Sequence, residues 1–106
     1  MLKQVRVPFD DIVFDPEEVG DMLTACLRRQ RKMRFVGAAA AEKFMIAVFE
    51  DSPVRSGSRL VLAPLKNSGP EELSAEISQR FEHNYLLRSS FRIRSGFWAL
   101  YEVVED

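Results

Sequence analysis

The sequence predicts an α+β fold: two tandem strand–helix–strand–strand (βαββ) units, six strands and two helices, with antiparallel sheet and the helices on one face. Three observations predict it. Apolar segments of the first half return in the second half in the same order. Two amphipathic stretches carry helix-start signals. The other apolar segments are short and bounded by turn residues. A single ferredoxin-like domain with an extra hairpin strand accounts for much of the same pattern and stands as the alternative.

The internal similarity fixes the order of elements. Val5-Arg6-Val7-Pro8-Phe9 aligns with Val61-Leu62-Ala63-Pro64-Leu65, both short apolar strands with Pro at the fourth place. Asp15-Pro16-Glu17-Glu18-Val19 aligns with Gly69-Pro70-Glu71-Glu72-Leu73, a helix start in each half. Lys43 to Phe49 aligns with Gly96 to Tyr101. The offsets are 56, 54 and 53, a drift of three residues across half a chain. The repeat-like halves, 1–53 and 54–106, meet at Asp51-Ser52-Pro53-Val54-Arg55-Ser56-Gly57-Ser58, whose Pro, Gly and serines are turn chemistry.

In the first helix Asp15 is the N-cap, Pro16 takes the first helical position, and Glu17 and Glu18 face the positive end of the dipole. Val19, Met22, Leu23, Cys26 and Leu27 recur at helical spacing on one face. Cations at Arg28, Arg29, Arg31 and Lys32 complement the carbonyl end, which places the stop near Lys32. The second helix is predicted from Pro70 to about Leu86, with Leu73, Ile77, Phe81 and Tyr85 inward.

Phe44 to Phe49 and Phe97 to Tyr101 are apolar at every position, the pattern of strands covered on both faces. Two helices on one side leave the other side of that sheet to be covered, either by the other half's sheet or by another subunit. Arg88 to Arg94 alternates instead, with Arg88, Ser90, Arg92 and Arg94 on one side and Ser89, Phe91 and Ile93 on the other. That marks an edge strand with a wet face. Its counterpart, Phe35 to Ala41, carries small side chains that allow close approach of another layer; Ala38 to Ala41 also favour a helix. Glu42-Lys43 and Ser95-Gly96 are the predicted hairpin turns, and Asp10-Asp11 reads as turn chemistry after the first strand.

This arrangement resembles the small bacterial βαββ domains of unknown function, doubled in tandem. The resemblance rests on the order of elements and implies no particular activity.

Composition narrows the function classes. The 106 residues are 46% apolar and 29% charged, with net charge -1, which suits a globular chain with an ordinary core. No apolar run reaches the ~20 residues that span a bilayer, and the N-terminus has neither signal-peptide nor transit-peptide character. One Cys forms no internal disulfide, so the expected setting is reducing and cytoplasmic.

Chemistry-bearing motifs are few. His83 is the one histidine, with no second His or Cys to complete a transition-metal set, and the acids lack calcium-loop spacing. Cys26 lies on an apolar helix face, where a thiol behaves as a small hydrophobe. The serines occupy no nucleophile elbow, and five scattered glycines make no phosphate loop or dinucleotide fingerprint. No catalytic residue or cofactor is assigned. The expected role is self-association, as a homodimer, or partner binding. Phe44, Ile46, Val48, Phe49, Phe97, Trp98 and Tyr101 are the interface candidates, since aromatic residues are favoured where subunits meet. The same set offers an aromatic pocket between layers for a small ligand. A third reading has Arg28, Arg29, Arg31, Lys32, Arg34, Arg88, Arg92 and Arg94 gripping nucleic acid or another anion, against which the near-neutral net charge speaks.

Overall fold

The computed structural model describes residues 2–28, 32–54 and 57–104. The chain folds as α+β, with six strands and three helices: β1 (Leu2–Pro8), α1 (Phe9–Phe14), α2 (Pro16–Arg28), β2 (Met33–Ala41), β3 (Phe44–Asp51), β4 (Ser58–Pro64), α3 (Pro70–Glu82), β5 (Tyr85–Ile93) and β6 (Gly96–Val104). The strands form two antiparallel three-stranded sheets, in the orders β1-β3-β2 and β4-β6-β5. Each half thus contributes one βαββ-like unit whose last strand is central.

The helix starts follow the sequence signals. Asp15 Oδ1 accepts the backbone N–H of Glu18 at 3.1 Å, capping α2 ahead of Pro16. The other boundaries differ in part. Asp10-Asp11 sit in the six-residue helix α1 rather than in a turn, with Ile12 buried beneath it. The described part of α2 ends at Arg28, and Arg29 and Arg31 lie outside the described residues. Helix α3 stops at Glu82 instead of Leu86, because Asn84 turns the chain at φ 68 and Tyr85 and Leu86 enter β5. Residues 33–41 are strand, not helix. The first hairpin turn is Glu42-Lys43; the second lies one residue earlier than read, at Arg94-Ser95, since Ile93 pairs with Gly96.

The helices do not share a face. Helix α2 lies on the interior side, its Val19, Leu23 and Leu27 packed among Val7, Met45, Phe49, Leu60 and Leu62 in a core drawn from both sheets. It also runs along the free edge of β4, a strand of the other half. The Leu60 N–H donates to Thr24 Oγ1 at 2.9 Å, and that hydroxyl donates to the Gly20 carbonyl at 2.8 Å. Arg28 Nη2 donates to the Ser58 carbonyl at 2.7 Å. Exposed strand edges invite unwanted pairing, and α2 occupies this one. The approach is close enough to require glycine: a Cβ on Gly20 would stand 2.9 Å from the Leu60 carbonyl oxygen.

On the opposite flank the edge strands β2 and β5 lie side by side. At a bulge in β5, Ser89 Oγ accepts from the Ala38 N–H at 3.2 Å and donates to the Ala38 carbonyl at 3.3 Å. Arg88 leaves the same bulge to donate to the Phe35 carbonyl and to pair with Glu102 at 3.3 Å. Phe9 stacks on Phe91 at 5.8 Å, tying the β1–α1 corner to the second sheet.

Helix α3 covers the other side of the second sheet, over Ala99, Tyr101 and Val103, which are buried outside the main core. The Arg80 guanidinium lies 5.2 Å from the Tyr85 ring centroid and 5.5 Å from that of Tyr101. The packing is loose, since no residue of α3 is fully buried and Phe81, read as inward, is 62% exposed.

Candidate functional site

The offset of 53 pairs Phe44, Ile46 and Val48 of β3 with Phe97, Ala99 and Tyr101 of β6. In both sheets these residues point away from the core. In the second sheet Ala99 and Tyr101 are sealed under α3. In the first sheet Phe44, Ile46 and Val48 are only half-buried, because α2 has gone to the interior side. From Ala99 to Tyr101 β6 is therefore dry on both faces, whereas Phe97 at the start of its apolar run is exposed, and β3 is dry on one face.

The register defines what surrounds the open β3 face. Val48, Ile46 and Phe44 stand opposite Gln4, Arg6 and Pro8 of β1, and opposite Gly37, Ala39 and Ala41 of β2. The result is an apolar ridge along β3 with a trough of small side chains on one flank and a polar strand on the other. The Arg6 guanidinium lies 5.5 Å from the Phe44 ring centroid, and Arg34 pairs with Glu50 at the far end. Gly37, Ala39 and Ala41 lie within the small-side-chain segment read as allowing close approach of another layer, whereas Arg6 belongs to this face but was not singled out from the sequence, and none of the four was placed against β3. Pairing the alternation of β1 and β2 against β3 would have found them.

The remaining interface candidates scatter. Phe49 turns inward and meets Phe35 edge-on at 5.7 Å. Trp98 is half-buried against the core, Tyr101 is buried beneath α3, and Phe97 is 47% exposed near the second hairpin turn. They converge on no common aromatic pocket. Phe44 borders a cleft of about 590 Å³ at the end where both hairpin turns meet, together with Phe9, Asp10, Lys43, Arg92 and Arg94.

The basic candidates are likewise dispersed, and five of the described ones are held within the chain. Arg28 reaches the Ser58 carbonyl, Arg34 pairs with Glu50, and Arg88 pairs with Glu102. Arg92 Nε donates to the Arg94 carbonyl at 2.8 Å, and Arg94 pairs with Asp10 at 3.2 Å. Lys32 is exposed beside α2's end, while Arg29 and Arg31 are outside the described residues. No common anion-binding face is formed by the described members of this set.

Two groups near α3 are electrostatically distinct. Burial pushes the Glu76 carboxyl up, but the Asn67 side chain, the N–H groups of Lys66 and Asn67, and Arg80 outweigh it and hold Glu76 below its ordinary value. The Asn67 side chain and the two N–H groups lie at 2.9–3.2 Å, where the loop after β4 folds onto the helix, and Arg80 acts by its charge. Burial pushes the Tyr101 hydroxyl above its ordinary value; Arg80 opposes the shift and Glu76 adds to it. The Tyr101 hydroxyl is buried with no hydrogen-bond partner among the described residues.

His83 caps the C-terminal end of α3, exposed, with Nδ1 3.1 Å from the Gln79 carbonyl oxygen. Cys26 is half-buried against the core. Among the described residues no group of three His, Cys, Asp or Glu side chains is placed to hold a metal ion, and no helix is long and apolar enough to cross a membrane. Comparison of the chain with protein-family models, curated proteins and solved structures finds no match.

Proposed function

We propose that this chain acts by self-association, as a homodimer formed through the outer face of the first sheet, in a cytoplasmic setting. One observation carries the reading. Ala99 and Tyr101 are buried on the α3 side of the second sheet, while their counterparts Ile46 and Val48 are left half-exposed on β3. Taking an apolar side chain of this size from full exposure to full burial is worth about 1.5–3 kcal/mol, and the still-exposed part of Phe44, Ile46 and Val48 is an unused fraction of it. The relief of the face favours a second copy as the cover. A ridge of large side chains runs beside a trough of Gly37, Ala39 and Ala41, one strand spacing away. A two-fold axis between them lays each ridge in the partner's trough, the self-complementarity that a dimer interface requires. Arg6, Arg34 and Glu50 place both signs of charge at the rim, compatible with like meeting like.

Sedimentation equilibrium tests the proposal. The wild-type chain is expected to sediment as two copies at high micromolar concentration. Ile46→Lys, on the open face, is expected to sediment as one copy with an unchanged far-ultraviolet circular dichroism spectrum. A wild-type monomer, or a dimer that survives Ile46→Lys, overturns it.

A further inference from the structure

The corner between α1 and α2 carries an apolar group that folding does not use. Phe14 ends α1 and directly precedes the N-cap Asp15. A large apolar residue in that place ordinarily packs on the fourth helical position as a hydrophobic staple. That position is Val19, which is buried, yet Phe14 is 89% exposed. Val13 and Met22 are exposed beside it at 42% and 39%. A cleft of about 320 Å³ is lined by Phe14, Val19 and Met22, with Asp11, Asp15 and Glu18 among them.

The charge that residues 9–27 supply to this patch has one sign, and Arg94, paired with Asp10 at 3.2 Å, brings a cation to its edge. Asp10, Asp11, Asp15, Glu17, Glu18 and Asp21 lie between positions 10 and 21, and no Lys or Arg occurs from Phe9 to Leu27. Anionic surfaces, nucleic acid or acidic lipid, are repelled by such a rim. A segment with apolar anchors flanked by Lys and Arg is attracted by both of its elements, and the flexible thioether of Met22 adapts to its shape. A second copy of this chain carries a net charge of -1 and has Arg28, Arg34, Arg88, Arg92 and Arg94 already engaged within it, so a separate basic segment matches the acidic rim better. We propose that the α1–α2 elbow is a docking site for a basic amphipathic segment of another protein, with Phe14 as its central anchor.

Fluorescence anisotropy with two labelled synthetic helical peptides tests this, one of Leu and Lys at amphipathic spacing and the other with Glu replacing Lys. The Leu/Lys peptide is expected to bind the full chain with an affinity that falls as salt is raised, and the Leu/Glu peptide to fail. Phe14→Ser removes an exposed side chain, so the thermal midpoint should hold while peptide affinity drops roughly tenfold or more. Met22→Lys should weaken binding in the same direction. Absence of Leu/Lys binding, equal binding of both peptides, or affinity unchanged in Phe14→Ser overturns the proposal. So does loss of a dimer in Phe14→Ser, which would make the occupant a second copy; Ile46→Lys tests the sheet face separately.

Discussion

Replacing Tyr101 with Phe removes one oxygen atom and tests the description of α3 and the sheet beneath it. Tyr101 is 1% exposed, its ring flanked edge-on by Tyr85 at 5.8 Å and by the Arg80 guanidinium, and its hydroxyl finds no partner among the described residues. A buried hydroxyl without a hydrogen bond costs about 1–3 kcal/mol on mutational scales. Removing it leaves a gap smaller than a methyl group, which costs less than about 1 kcal/mol. Tyr101→Phe is therefore expected to stabilise the fold by about 1 kcal/mol, raising the thermal midpoint by about 4 °C or more. Urea titration at neutral pH with fixed m-value reads the difference directly. The alkaline limb supplies a second measurement. Burial holds the native hydroxyl's pKa above its ordinary 10.0, so the native state binds this proton more tightly than the unfolded chain does. That contribution is complete below pH 10 and is lost as pH rises from there through the raised native value. The advantage of Phe over Tyr should widen in that window. A Tyr101→Phe protein less stable than wild type at neutral pH would mean that the hydroxyl holds a partner and that α3 packs on the sheet in another way.

Two further outcomes follow from the packing and the charges. Gly20→Ala, which in an exposed helix would gain about 1 kcal/mol, is expected to lose stability here, because overpacking against the Leu60 carbonyl costs about 1–3 kcal/mol; a more stable Ala variant in chemical denaturation refutes the contact between α2 and β4. Glu76 is held below its ordinary value, so its contribution is complete above about pH 4.5 and is lost as pH falls through the depressed native value. Glu76→Gln should flatten the acid limb of the stability–pH curve there, and an unchanged limb would show that the loop does not hold the carboxylate.

The local elements were legible because their causes are local. Asp15-Pro16 and Gly69-Pro70 start helices through backbone geometry that the neighbouring residues dictate. The unbroken apolar runs of β3 and β6 were read as strands covered on both faces; both lie at the centre of their sheets, and β3 is covered on only one face. Misreadings arose where one pattern runs into another. Tyr85 continues the apolar spacing of α3 while belonging to β5, and only the left-handed turn at Asn84 separates them. The open face was half visible: an apolar run states that a strand wants cover, but not whether the chain supplies it. Whether α2 lies over or under its own sheet depends on Gly20 and Thr24 meeting Leu60, forty residues on, and no periodicity records that. The scattering of the arginines has the same origin, since Arg94 finds Asp10 across the length of the chain.

Helix α2 belongs to the first half by sequence and to the second half by hydrogen bonding. Neither half owns a private interior: cut between residues 53 and 54, the first fragment would keep a helix whose strand had left, and the second a strand with a bare margin. If the chain arose by copying a shorter ancestor, that exchange bound the copies into one cooperative body, and the displaced helix left behind a surface that the ancestor had no reason to expose.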